Sequence, residues 1–223
     1  MVPSPRNRLF SALLLLVVSC LGSATQAADL SVVERWLATN SGLRTIRIDF
    51  EQTRKMRSLK VPIRQPGTLW LNYATKQFRW QTGNPAQTIV VRRGSELFVI
   101  RTPMKRYERR PVGSSSVGTP GMAALAGGFP KTLGEFQKRY RILGISRKDN
   151  THRIVTQPLG ESGRGVDTFT FVIEEKRYRL LGFEMKLKDG SSVDTVFHRV
   201  LPNDPIPKSV FAPDITGFKE TKF

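Results

Sequence analysis

Side chains that share a proton, hold a metal or attack a carbonyl are few in this sequence and poorly spaced for chemistry. His152 and His198 are its only histidines. Neither has a cysteine or a second histidine at metal-ligand spacing. Glu174 and Glu175 are adjacent, so on a strand they face opposite sides and cannot work as an acid–base pair. Lys176 and Arg177 follow them and mark a charged turn. The stretch Gly160-Glu161-Ser162-Gly163-Arg164-Gly165 misses both the nucleophile-elbow and the dinucleotide spacing, and reads as a hairpin loop. No G-x-S-x-G, H-E-x-x-H or phosphate-binding G-x-x-x-x-G-K-[ST] occurs. The residues point to binding rather than catalysis, with no catalytic residue, metal site or cofactor expected.

What the chain does have is large apolar residues at alternate positions. Ile48 and Phe50 form one set, Leu69 and Leu71 a second, Phe78 and Trp80 a third. Phe169 and Phe171 continue the pattern, with Phe183 and Phe197 after them. On a curved antiparallel sheet such residues share the inner face. They either fill a closed core or line a cavity for an apolar ligand, as barrels of this size can.

The elements that position them follow from period. Ser31-x-x-Glu34 reads as a capping box, and Val33, Trp36 and Leu37 then lie on one helical face. Asn40-Ser41-Gly42 stops this first helix, with Gly42 placed as a left-handed cap. About eleven short strands follow, between Ile46 and Phe197, among them a hairpin turned at Asp189-Gly190. No 10–15-residue helix separates consecutive strands, which argues against a parallel sheet. The reading is a mainly β protein: a sheet of about eleven antiparallel strands with an N-terminal helix.

One segment, about residues 111–137, breaks the rhythm. Thr119-Pro120 is a good helix start, Gly127-Gly128 ends that helix, and Thr132-x-x-Glu135 caps a second. The first helix, carrying Met122 and Leu125 and followed by Phe129, is small and apolar on nearly all sides. It reads as a lid over the concave face, or else as a crossover packed on the barrel end.

The N-terminus reads as a secretory leader over residues 1–27: Arg6 and Arg8, an apolar run Leu9 to Val18, then small residues. The apolar run is shorter than the roughly 20 residues a membrane helix needs. Thr25 and Ala27 fit a general signal-peptidase cut, leaving 28–223 as a single domain. A cut there removes Cys20, the only cysteine. The alternative uses Val17-Val18-Ser19-Cys20 as a relaxed lipobox, which would leave a protein anchored by lipid through Cys20. The chain carries 36 Lys+Arg against 18 Asp+Glu, a net +18. Outside the cytoplasm that charge is drawn to anionic membrane surfaces rather than to nucleic acid.

The order of these segments resembles the LolA family of periplasmic outer-membrane lipoprotein carriers. The lead helix is followed by Phe50-Glu51-Gln52, Gly67-Thr68-Leu69-Trp70, Phe78-Arg79-Trp80, Pro85 and Gly94-Ser95-Glu96-Leu97. Ile206-Pro207 and Phe211-Ala212-Pro213 close the chain. The resemblance implies an unclosed β-barrel covered by a helical lid, and a hydrophobic cavity for the acyl chains of a lipoprotein or lipid. It implies a monomer that takes cargo from an inner-membrane export complex to an outer-membrane acceptor. Phe78 and Trp80 match family aromatics near the cavity; Met122 and Leu125 match the lid. Where the best-studied carriers have an Arg-Pro pair that holds the lid shut, this chain has Asn72-Tyr73-Ala74, so no latch carries over. Relatives with this fold also act as anchored acceptors and as sensors of envelope stress.

Overall fold

The computed structural model describes residues 29–112, 128–160 and 163–221. The expected leader and the expected helix at Met122 and Leu125 lie outside them. Helix α1 spans Ser31–Thr39. Six strands follow: β1 (Thr45–Lys55), β2 (Ile63–Asn72), β3 (Gln77–Thr82), β4 (Thr88–Arg93), β5 (Glu96–Arg101) and β6 (Arg106–Pro111). Helix α2 (Leu133–Arg139) leads into β7 (Tyr140–Lys148), β8 (Thr151–Pro158), β9 (Val166–Glu174), β10 (Leu180–Leu187) and β11 (Ser192–Pro202). All eleven expected strands are present. A twelfth, β12 (Lys219–Glu220), pairs in parallel with β6.

The strands form one sheet in the order β12-β6-β5-β4-β3-β2-β1-β11-β10-β9-β8-β7. Its two ends do not pair, so the barrel is unclosed. The longest ladders join β1 to β2 and to β11, which makes β1 the spine between the two halves of the sheet. Alternation fixes what each strand buries. In β1 the pattern puts Ile46, Ile48 and Phe50 inside, and in β3 Phe78 and Trp80.

One close approach needs a glycine. Gly67 of β2 sits opposite Phe50 of β1. A methyl group there would lie 2.3 Å from Phe50 Cζ, so the ring lies directly on the bare backbone.

Both helices close the sheet's β7–β9 half. Trp36 of α1 meets Phe136 of α2 edge-on, with centroids 5.7 Å apart, and Phe171 of β9 at 4.9 Å. The Thr132 cap forms as read: its hydroxyl accepts from the Glu135 backbone N–H at 3.1 Å. The Glu135 carboxylate reaches back to the Lys131 N–H at 3.0 Å.

Two terminal expectations for α1 are corrected. The helix begins one residue early, so Leu30 is its N-cap, with no side-chain cap bond. Ser31 is then already helical, and its N–H donates to Asp29 Oδ1 at 3.0 Å. Asn40 closes the other end in a right-handed conformation, and Gly42 is not among the left-handed residues.

The chain after β11 crosses the convex face. Phe211 is buried there with Ile89, Val91 and Ile100, against Trp70 and Phe98. Arg79 donates to the Val210 carbonyl at 2.8 Å and Arg93 to the Pro213 carbonyl at 2.9 Å. This strap fixes the outer surface of β2–β6 and leaves the concave face as the place for a site.

Candidate functional site

The concave face gathers all ten residues read as inward. Leu69, Phe78, Phe169 and Phe171 have no exposed surface; Ile48, Phe50, Leu71, Trp80 and Phe183 are as deeply buried, and Phe197 only slightly less. They belong to one apolar cluster. Its aromatic rings form a continuous chain: Phe50 to Trp80 at 4.2 Å, Trp80 to Phe183 at 6.0 Å, Phe183 to Phe169 at 5.0 Å and Phe169 to Phe171 at 4.8 Å. The middle of the face is filled by its own side chains. Among the described residues, the indole N–H groups of Trp36 and Trp80 are buried with no hydrogen-bond acceptor.

Open space lies at the end where β1 begins. An apolar cleft of about 370 Å³ runs between the end of α1, the start of β1 and the ends of β10 and β11. Leu43, Ile46, Ile48, Phe129, Leu180 and Phe197 line it, among others. Val200, at its rim, is 43% exposed. Sequence reasoning placed Ile48, Phe129 and Phe197 near such a site but missed Leu43, Leu180 and Val200. Their signal was weak, since each sits at the end of an element, where alternation says least.

Phe129 also lines a second cleft, of about 230 Å³, whose floor includes Leu71. Its walls are basic: Lys76, Arg92, Lys131 and Arg139, with Glu135 the acid among its described lining residues. Phe129 is 4% exposed, so one buried ring separates an apolar cleft from a basic one.

The described end of the expected lid segment is tied to β2 by Tyr73. A methyl group on Gly128 would be 3.1 Å from Tyr73 Cε1, so the ring packs on the bare backbone there. Lys131 Nζ lies 4.8 Å from the centre of the same ring and donates to the Leu43 carbonyl at 3.2 Å. Arg139 donates to the Gly128 carbonyl at 2.8 Å. Burial pushes the Tyr73 phenol up to about 12, against the pull of the Phe129 backbone N–H and of Arg139. This tie occupies the stretch where the resemblance supplied no Arg-Pro latch. Met122 and Leu125 lie outside the described residues.

The far end of the concave face is polar. Glu108 and Arg110 are buried and paired at 3.2 Å, and Arg101 lies 3.7 Å from the other Glu108 oxygen. Arg54 is held below the usual guanidinium range by burial and by Arg101 nearby.

The chemistry-bearing residues are dispersed. His152 stacks on Tyr178, while His198 lines the apolar cleft. Glu174 pairs with Arg179 and Glu175 with Arg147, both at 2.7 Å. Among the described residues no group of His, Cys, Asp and Glu is gathered to hold a metal.

A half-open sheet with an aromatic concave face and an apolar cleft at its edge is a binding architecture. The family model for the outer membrane lipoprotein carrier protein LolA matches residues 41–214, most of the chain. The chain belongs to the LolA family. No curated protein matches the sequence significantly. A solved protein from Thermus thermophilus, described as an uncharacterized conserved protein, shares the fold at a TM-score of 0.50 and 8% identity, over 86% of this chain and 96% of that one. A LolA superfamily protein from Nitrosomonas europaea aligns at 0.45 and 10% identity, over 83% of this chain and 97% of its own. The lipoprotein LppX from Mycobacterium tuberculosis aligns at 0.44 and 13%, over 80% and 96%. The LolA-family frame accounts for the unclosed barrel.

Proposed function

We propose that this LolA-family protein is a periplasmic carrier that binds the acyl chains of lipoproteins or lipids on its concave face. It then moves them from the inner to the outer membrane. The observation that carries this reading is the apolar cleft of about 370 Å³ opening beside the buried aromatic chain. An acyl chain entering there meets Ile48, Phe129 and Phe197 first and the deeper rings afterwards. Burying each methylene is worth about 0.8 kcal/mol. The basic cleft across Phe129 sets cations beside this path, where the head of a cargo molecule would emerge. By the resemblance, the donor is an inner-membrane export complex and the receiver an outer-membrane acceptor. The lipobox-like Val17-Val18-Ser19-Cys20 carries a second reading, an acceptor anchored through Cys20.

The test is binding of a fluorescent fatty-acid probe to the purified mature protein, with displacement by a lipoprotein-derived acyl peptide. Saturable binding weakened by Ile48→Asp supports the carrier reading. Absence of probe binding, with no lipid copurified after gentle extraction, overturns it. The intact mass of the mature N-terminus separates a free carrier from an anchored acceptor.

A further inference from the structure

The end of the sheet opposite the clefts carries a second feature, which the carrier reading does not use. The β1–β2 hairpin tip, Lys55-Met56-Arg57-Ser58-Leu59-Lys60-Val61-Pro62-Ile63-Arg64, is exposed at all ten positions. Four are large apolar residues: Met56 at 44%, Leu59 at 46%, Val61 at 73% and Ile63 at 38%. Four are cations. No Asp or Glu occurs between Glu51 and Glu96, and none of the four cations lies within 4.0 Å of a described carboxylate, the nearest influence being that of Lys55 on Asp194.

Two hydrogen bonds tie the tip. The Leu59 N–H donates to the Met56 carbonyl at 3.0 Å, and the Arg57 N–H to the Ser191 hydroxyl at 3.3 Å. The β5–β6 turn lies at the same end of the sheet, because β1 and β5 run in the same direction. It adds Met104, 57% exposed, followed by exposed Lys105 and Arg106.

Scattered exposed apolar residues are ordinary, but a contiguous apolar tip whose own charges are all positive marks an interaction site; the adjoining β10–β11 turn adds Lys188 and Asp189. The occupant must offer both an apolar interior and a dense negative surface. An anionic bilayer offers both: phosphates for the long basic side chains and hydrocarbon just beneath for the apolar ones. We propose that this hairpin tip is a membrane-docking element. It places Met56, Leu59, Val61 and Ile63 into the headgroup–acyl boundary of an anionic bilayer, while Lys55, Arg57, Lys60 and Arg64 hold its phosphates. The inference does not rest on the acyl-chain reading. At about 3.3 Å per residue, the run of β1 from Ile46 to Met56 puts the tip on the order of 30 Å from the apolar cleft.

The test uses the full mature chain and vesicles of phosphatidylcholine alone or mixed with phosphatidylglycerol. Co-sedimentation reads binding, and a Leu59→Trp variant reads depth by its emission shift and by quenching with brominated lipid. The expected result is binding to the mixed vesicles that weakens with salt, with a blue-shifted, quenched Trp. The double variant Leu59→Asp/Val61→Asp is expected to bind about tenfold more weakly. The charge-matched control Lys176→Gln/Arg177→Gln, on the β9–β10 turn at the other end, is expected to lose less than Arg57→Gln/Lys60→Gln. Fatty-acid probe binding should be unchanged in all of them, so failure here is separable from failure of the carrier reading. An unquenched Trp overturns the proposal, and so does a Leu59→Asp/Val61→Asp variant that binds as the parent does. Equal losses at both ends reduce the effect to overall charge and overturn it too. Crosslinking of the tip to a protein partner without vesicle binding also refutes it.

Discussion

A methyl group at Gly67 is a demanding test of how the concave face is built. In Gly67→Ala the new Cβ would lie 2.3 Å from Phe50 Cζ, 2.4 Å from Phe50 Cε2 and 2.6 Å from the Gln81 carbonyl oxygen. Carbon atoms in contact sit about 3.5–4.0 Å apart, so the ring must withdraw by roughly 1 Å or more. It has little room to do so. Phe50 is 2% exposed and packed at 4.2 Å on Trp80, which in turn meets Phe183. The Gln81 oxygen belongs to the backbone of β3, paired along β2, and cannot swing aside. Overpacking a filled core costs about 1–3 kcal/mol, and two separate obstacles put this case at about 3 kcal/mol.

With a urea slope of about 2 kcal/mol per M, the unfolding midpoint should fall by about 1.5 M. For a chain of this size the melting temperature should drop by about 6–12 °C. Phe50→Ala alone should cost about 3–5 kcal/mol. The Gly67→Ala/Phe50→Ala double variant should lose less than the sum of the two, because removing the ring relieves the closest contacts. A midpoint within error of the parent, or strict additivity in the double variant, would refute this account of the glycine.

Thr132→Ala removes the hydroxyl that caps α2 and should cost about 1 kcal/mol, read as a lower urea midpoint with an unchanged slope. Phe129→Ala removes the ring between the two clefts. It should destabilise by about 3–5 kcal/mol and, under ligand-saturating conditions, raise the capacity for long fatty-acid probes; unchanged capacity would show that the clefts do not join. Asp194 is held above the usual carboxylate range, first by burial and then by Glu184 nearby. Its folded pKa exceeds its unfolded one, so its contribution is fully present below the unfolded value and is lost as pH rises through the folded value. Asp194→Asn should therefore be more stable than the parent at neutral pH. The difference should vanish towards the acid side in urea melts across pH, and a pH-independent difference would sink the assignment.

Much of the fold was legible because a half-buried strand writes its burial as period two. Phe78-Arg79-Trp80 and Phe169-Thr170-Phe171 alternate in sequence, and the structure buries their aromatic members on one face. The α1 face and the Thr132 cap were legible for the same local reason. The start of α1 was not, since Asp29 and Ser31 both offer an oxygen and only the helix's actual first turn decides between them. The strap after β11 was also hidden. Trp70, Arg79 and Phe98 lie on the convex side of their strands, and nothing local reveals that Phe211 and Val210 will cover them. The cleft was half legible. Ile48 and Phe197 came from alternation, but Leu43, Leu180 and Val200 come together from three distant stretches through the β1–β11 and β10–β11 pairings. Alternation likewise marks the inner face without saying whether its residues meet one another or a ligand.

That last ambiguity has an energetic resolution. A face already filled by its own rings can accept an acyl chain only where side chains can give way. The interior rings, from Phe50 through Trp80 to Phe169, are locked by neighbours on every strand. Phe129 and Phe197 border open space instead. Inserting about ten methylenes gains about 8 kcal/mol. Pushing two aromatic side chains out of their packed positions returns about 3–6 kcal/mol of that. The remainder is a modest net affinity, which suits a carrier better than a store. On the proposed carrier reading, rings displaced at the cleft would close back over it as the chain leaves, and their burial would offset part of the cost of release.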